Sequence, residues 1–163
     1  LVGSSPGGWA GKAVAVSLHV YDTSWLAAAA GIPAFHLGVE VLGMELSFGK
    51  HGLLSNSPGE LEHFTYRGAM PLGLAMMTEP QVAEALSEIS EEWGDEVYSL
   101  NGRNCQSFAE AFCSRLGLAD AIPDEYLVFS KPWVGTSLGI ASKARGRSLE
   151  GVAEEANAPP WAI

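Results

Sequence analysis

Cys105 stands directly after Asn104, and Phe108, Phe112 and Leu116 follow at i, i+4 and i+8 before Gly117, which is the pattern of a helix capped by the asparagine. A cysteine at the first helical position faces unpaired N–H groups and the positive end of the helix dipole, which favour thiolate over thiol. A lowered thiol pKa makes a nucleophile, and Arg103 two positions upstream adds positive potential. Most free cysteines are simply small buried hydrophobes, and Cys113, mid-helix beside Phe112, fits that description.

A thiolate needs a base, and the chain offers His19, His36, His51 and His63. His51 and His63 fall in a polar stretch where solvated histidines are ordinary. His19 and His36 fall on alternating segments, and His36 shares a strand face with Gly38, whose missing side chain leaves room beside the imidazole. A lone strand histidine is more often structural than catalytic, so spacing leaves the base undecided. No Cys or His pair has metal-ligand spacing, so no metal or other cofactor is expected. The Gly-rich start lacks the lysine and helix of a phosphate loop, and no serine sits in a nucleophile elbow.

The elements that must hold these residues are legible in the hydrophobic pattern. Lys12 to Asp22 alternates, with Val14, Val16, Leu18 and Val20 on one face and His19 and Tyr21 on the other. Trp25 to Ala30 suits a short helix stopped at Gly31. Phe35 to Val41 alternates again, and Gly43 turns it into Met44 to Phe48, which predicts a β-hairpin. Lys50 to Met70, rich in Gly, Ser, Asn and Pro, reads as a long surface loop. Thr78 and Gln81 form a capping-box pair, with Pro80 in the first turn and Val82, Leu86, Ile89 and Trp93 on one face of the helix that follows. Its opposite face carries Glu84, Glu88, Glu91 and Glu92, more simply a solvated surface than an acidic docking site. A domain is expected over 12–130, with a peripheral tail, partly helical, over 131–163.

The chain's 163 residues, 47% of them hydrophobic, suffice for one globular domain with its own core. Nine basic residues against 19 acidic ones give a net charge of −10, which excludes a phosphate-neutralising surface and makes nucleic acid an unlikely partner. No stretch approaches the roughly 18 apolar residues of a membrane span. Two cysteines are too few for a disulfide scaffold, which points to a reducing compartment, cytoplasmic or nuclear, or to an organelle where a targeting segment has been removed.

Five ordered blocks resemble those of the PPPDE, or DeSI-like, cysteine peptidases: Leu18-His19-Val20-Tyr21-Asp22-Thr23-Ser24, Phe35-His36-Leu37-Gly38-Val39-Glu40-Val41, Glu45-Leu46-Ser47-Phe48-Gly49, Arg103-Asn104-Cys105-Gln106-Ser107-Phe108 and Ile122-Pro123. The resemblance implies an α+β fold, a compact permuted papain-like arrangement with an antiparallel sheet packed against helices. By position, it makes His36 the general base and Cys105 the nucleophile. It implies a thiol peptidase hydrolysing isopeptide bonds of ubiquitin-like, SUMO-type conjugates, or a protein S-acyl thioesterase working through the same acyl-enzyme chemistry. Leu37, Gln106 and Ala109 depart from the residues usual in this family. Asn104 and Gln106 are the candidate oxyanion or supporting side chains. Asp22 is weighed as an orienter of a histidine against an ordinary turn residue. Phe35, Leu37 and Phe108 are expected to line an apolar substrate groove. The rival expectation is a non-catalytic subunit of a larger protein assembly that keeps the same fold.

Overall fold

The computed structural model describes residues 11–24, 34–94, 98–99 and 102–130. The short helix expected over Trp25 to Ala30 and the tail over 131–163 lie outside the described residues. Five strands, β1 (Val14–Asp22), β2 (Phe35–Val41), β3 (Met44–Gly49), β4 (Gly52–Asn56) and β5 (Thr65–Ala75), form one sheet in the order β4-β3-β2-β1-β5. Every pairing is antiparallel. Helices α1 (Glu79–Gly94) and α2 (Cys105–Arg115) follow, then a short 3₁₀ turn, Asp124–Tyr126. This is the expected α+β architecture.

The alternation in β1 and β2 makes the two faces of the sheet chemically different. Val16, Leu18, Val20, Leu37, Val39, Val41, Leu46 and Phe48 are buried in one core with Val82, Ile89 and Trp93 of α1 and Phe108, Phe112 and Leu116 at α2. Edge-to-face contacts tie the layers together, with ring centroids of Phe48 and Trp93 5.0 Å apart and those of Trp93 and Phe108 5.3 Å apart. The opposite face carries His19, Tyr21, His36, Glu45 and Ser47, all buried although polar.

The hairpin forms where it was expected. Val41 pairs with Met44 across Leu42-Gly43, and both turn residues have positive φ, 53° and 74°. That backbone matches the right-handed twist of the strands and suits glycine at the second position. The Thr78–Gln81 capping box is also present, with the Thr78 N–H donating to Gln81 Oε1 at 2.8 Å.

The loop expected over Lys50 to Met70 is a correction. Residues 52–56 form β4 on the edge of the sheet, and β5 begins at Thr65 on the other edge. Neither strand alternates cleanly, because an edge strand is half-solvated and its pairing comes from a neighbour distant in sequence. Pro71 and Gly68 are tolerated in β5 because its outer side needs no partner and its register against β1 shifts at Val16/Ser17 and Val20/Tyr21.

Candidate functional site

The site is built where β2 runs out of strand partners. β3 pairs with β2 only from Val39 to Val41, so the backbone around His36 lacks a neighbour on that side. The N-terminus of α2 fills the gap. The Cys105 thiol lies 3.7 Å from the Phe35 carbonyl oxygen and donates to it, and the Gln106 side-chain amide donates to the same oxygen at 3.3 Å. The Leu37 N–H faces the sulfur from the other side of His36. The strand carrying His36 and the helix start carrying Cys105 are therefore packed directly together.

Asn104 explains why the helix starts there. Its side-chain oxygen accepts from the N–H groups of Gln106 and Ser107 at 2.9 and 3.0 Å, while its own N–H donates to Ser107 Oγ at 2.9 Å. This is a reciprocal capping box, and the Asn-x-x-Ser spacing that signals it stands in the sequence. The Asn104 amide also donates to the Phe129 carbonyl at 2.8 Å, and the Phe129 N–H donates to Gln106 Oε1 at 2.7 Å. Asn104 and Gln106 thus clamp one backbone unit beyond the 3₁₀ turn. In this structure their hydrogen bonds serve support.

Cys105 and His36 are each only 3% exposed. Burial pushes the Cys105 thiol up to about 11, and the backbone N–H groups of Leu37, Cys105 and Gln106 only partly oppose it. Burial likewise drives the His36 imidazole down to about 4. The activated thiolate expected at this helix start is therefore not the form this closed site favours, because desolvation outweighs the amide donors. Both groups rest neutral.

Phe64 covers the imidazole, stacked parallel with centroids 4.7 Å apart, and the Tyr21 ring sits edge-on at 6.3 Å. The room beside His36 expected from Gly38 is taken: a Cβ built there would lie 2.0 Å from Glu45 Oε1. Glu45, Tyr21 and Phe64 are residues the sequence reading did not single out. The Glu45–Leu46–Ser47 block carried the signal for the first, since a carboxylate on an alternating buried strand demands partners.

The groove expectation is corrected in part. Leu37 and Phe108 have no exposed surface and belong to the core. Phe35 is half-buried, with Arg67 5.1 Å over its ring and Tyr126 edge-on at 5.3 Å. Asp22 pairs with that arginine at 3.2 Å rather than with a histidine. His19 lies 2.7 Å from Glu40 and 3.1 Å from Tyr66 Oη, which gives it a structural network. Cys113 is buried on the core side of α2, beside a cavity of about 170 Å³ lined by Leu118, Ile122 and Leu127. Among the described residues no group of three or more His, Cys, Asp or Glu could hold a metal, and no helix is long and apolar enough to cross a membrane.

A helix-borne cysteine seated against a histidine-bearing strand of an antiparallel sheet is the centre of this α+β fold. The profile of the PPPDE peptidase domain matches residues 14–136, and the chain belongs to that family. It is 29% identical over 121 residues to the desumoylating isopeptidase 1 homolog of Caenorhabditis elegans, covering 67% of this chain and 36% of that protein. It is 27% identical over 113 residues to a DeSI-like protein of Arabidopsis thaliana, covering 62% of this chain and 49% of that one. The chain thus spans between about a third and a half of the length of these relatives.

Proposed function

We propose that the chain is a cysteine isopeptidase acting on proteins conjugated to a ubiquitin-like modifier, with Cys105 as nucleophile and His36 as base. The observation that carries this reading is the seating of the Cys105 thiol on the backbone that flanks His36, at a capped helix start. His36 takes the thiol proton as sulfur attacks the isopeptide carbonyl, and returns it to the departing lysine amine. Water then hydrolyses the acyl-enzyme. The N–H groups of Cys105 and Gln106, turned toward the sulfur, are in place to stabilise negative charge there. The name of the Caenorhabditis relative supports a SUMO-type modifier as the conjugate.

The reaction needs the site to open. Burial raises the thiol and lowers the imidazole, so proton transfer from Cys105 to His36 is disfavoured while both groups stay desolvated. Rehydration of His36 when Phe64 lifts would bring the imidazole back toward its ordinary value.

Hydrolysis of an isopeptide-linked modifier conjugate tests the proposal, with an S-acylated peptide assayed alongside. Cys105→Ala and His36→Ala should each abolish turnover, and Cys113→Ser should retain it. Faster turnover of the S-acyl peptide would make the protein a thioesterase using the same dyad. The burial and neutrality of both groups favour one second reading, a non-catalytic subunit that keeps the fold. An iodoacetamide rate at Cys105 no faster than that of Cys113, with neither substrate turned over, would establish that alternative.

A further inference from the structure

The polar face of the sheet holds more unpaired chemistry than the dyad uses. Glu45 is completely buried. Its Oε2 accepts from the Tyr21 hydroxyl at 2.8 Å and from the Gly59 N–H at 2.8 Å, and lies 3.8 Å from His19 Nδ1. Its Oε1 has no hydrogen-bond partner among the described residues, and the same is true of His36 Nε2 and Ser47 Oγ.

These three atoms belong to one face. Tyr21 pairs with His36 and His19 with Gly38 across β1 and β2, while Glu40 pairs with Glu45 across β2 and β3. Cross-strand partners share a face, and alternate residues return to it, so His36, Gly38, Glu45 and Ser47 all point the same way. The Glu45 carboxylate reaches over Gly38, two residues from His36, where any larger side chain would collide with it. Segment 57–64 roofs this region through the Gly59 N–H on Glu45, the Leu61 N–H on Tyr21 and the Phe64 ring on His36.

Buried polar atoms are almost always satisfied, and a buried water typically makes about three hydrogen bonds to groups that lack other partners. We propose that an ordered water under segment 57–64 joins His36 Nε2, Glu45 Oε1 and Ser47 Oγ, making Glu45 the positioning residue of the catalytic imidazole. This rests on the reading of His36 as the base. The water accepts from the Nε2–H of neutral His36 and donates to Glu45 Oε1 and to Ser47 Oγ. That network selects the tautomer whose other nitrogen, Nδ1, is the free lone pair, and it favours the imidazolium once His36 has taken the thiol proton. Glu40, His19, Tyr21 and Tyr66 are the other titratable groups of this face.

Two measurements test it, the first on the wild-type protein. Nitrogen-15 histidine spectra should show His36 as the Nε2–H tautomer, with a cross-relaxation contact between its ring protons and a long-lived water; an Nδ1–H tautomer or a dry ring overturns the proposal. The second compares Glu45→Gln and Ser47→Ala. Each should shift the His36 ring nitrogen signals, and Glu45→Gln should slow isopeptide turnover at least tenfold. His36 signals matching wild type in folded Ser47→Ala overturn the proposal even where Glu45→Gln fails to fold. Failure of the base assignment looks different: His36→Ala would then turn over substrate like wild type, while the water contact at the wild-type ring stands.

Discussion

Replacing His36 by phenylalanine should flatten part of the acid limb of folding stability, with a sign that reports the resting charge of the dyad. In the fold the imidazole is held near 4 by burial, against 6.5 for the unperturbed group. The unfolded chain therefore takes up a proton as pH falls through 6.5, and the folded protein does not until about 4. Stability associated with neutral His36 is complete above pH 6.5 and is lost on the way down. Linkage puts the loss at about 2 kcal/mol by pH 5 and about 3 kcal/mol by pH 4. His36→Phe preserves a flat ring against Phe64 and removes the titration. Urea unfolding at a series of pH values, wild type against variant, isolates this group from the carboxylates, which titrate in both. The difference should grow by about 3 kcal/mol between pH 7 and pH 4, to the disadvantage of the wild type. A resting thiolate–imidazolium pair would raise the His36 pKa and reverse the sign, so a pH-independent difference, or one favouring the wild type in acid, refutes the neutral dyad.

The same burial predicts that, in a Cys113→Ser background, alkylation of Cys105 in the closed protein rises with a midpoint near 11, well above the ordinary thiol; a midpoint at or below 9 in an iodoacetamide pH series would contradict it. Phe64→Ala should uncover His36 and move its pKa up toward 6.5, followed by the chemical shift of its ring protons. Asn104→Ala removes two acceptor contacts at the helix start and the donor to Phe129, and should cost about 2 kcal/mol in denaturant unfolding. Gly38→Ala should cost more than about 3 kcal/mol, because the added Cβ and the buried Glu45 carboxylate cannot share the same space. A Gly38→Ala protein as stable as wild type would mean that Glu45 does not lie there.

Where a residue acts through its neighbours in the chain, the sequence was enough. Alternation in Val14 to Val20 and Phe35 to Val41 set the core face of β1 and β2, the Leu42-Gly43 turn set their hairpin partner, and Asn104 announced the start of the helix that presents Cys105. Each of these signals is local, because side-chain period, turn dihedral and cap geometry are properties of a few adjacent residues. The edge strands β4 and β5 were not legible, since half-solvated edges lose the alternation and their hydrogen bonds come from β3 and β1. The burial of Leu37 and Phe108 was equally hidden: an apolar residue beside a catalytic candidate reads the same whether it lines a groove or fills the core. Protonation was decided in three dimensions as well. The helix start argued for a thiolate, yet the depth at which Phe64 and the sheet enclose the site costs the charged forms more than the amide donors return. The placing of Glu45 over Gly38, roofed by Gly59, required three segments far apart in the chain to meet, and no spacing rule along one strand encodes that meeting.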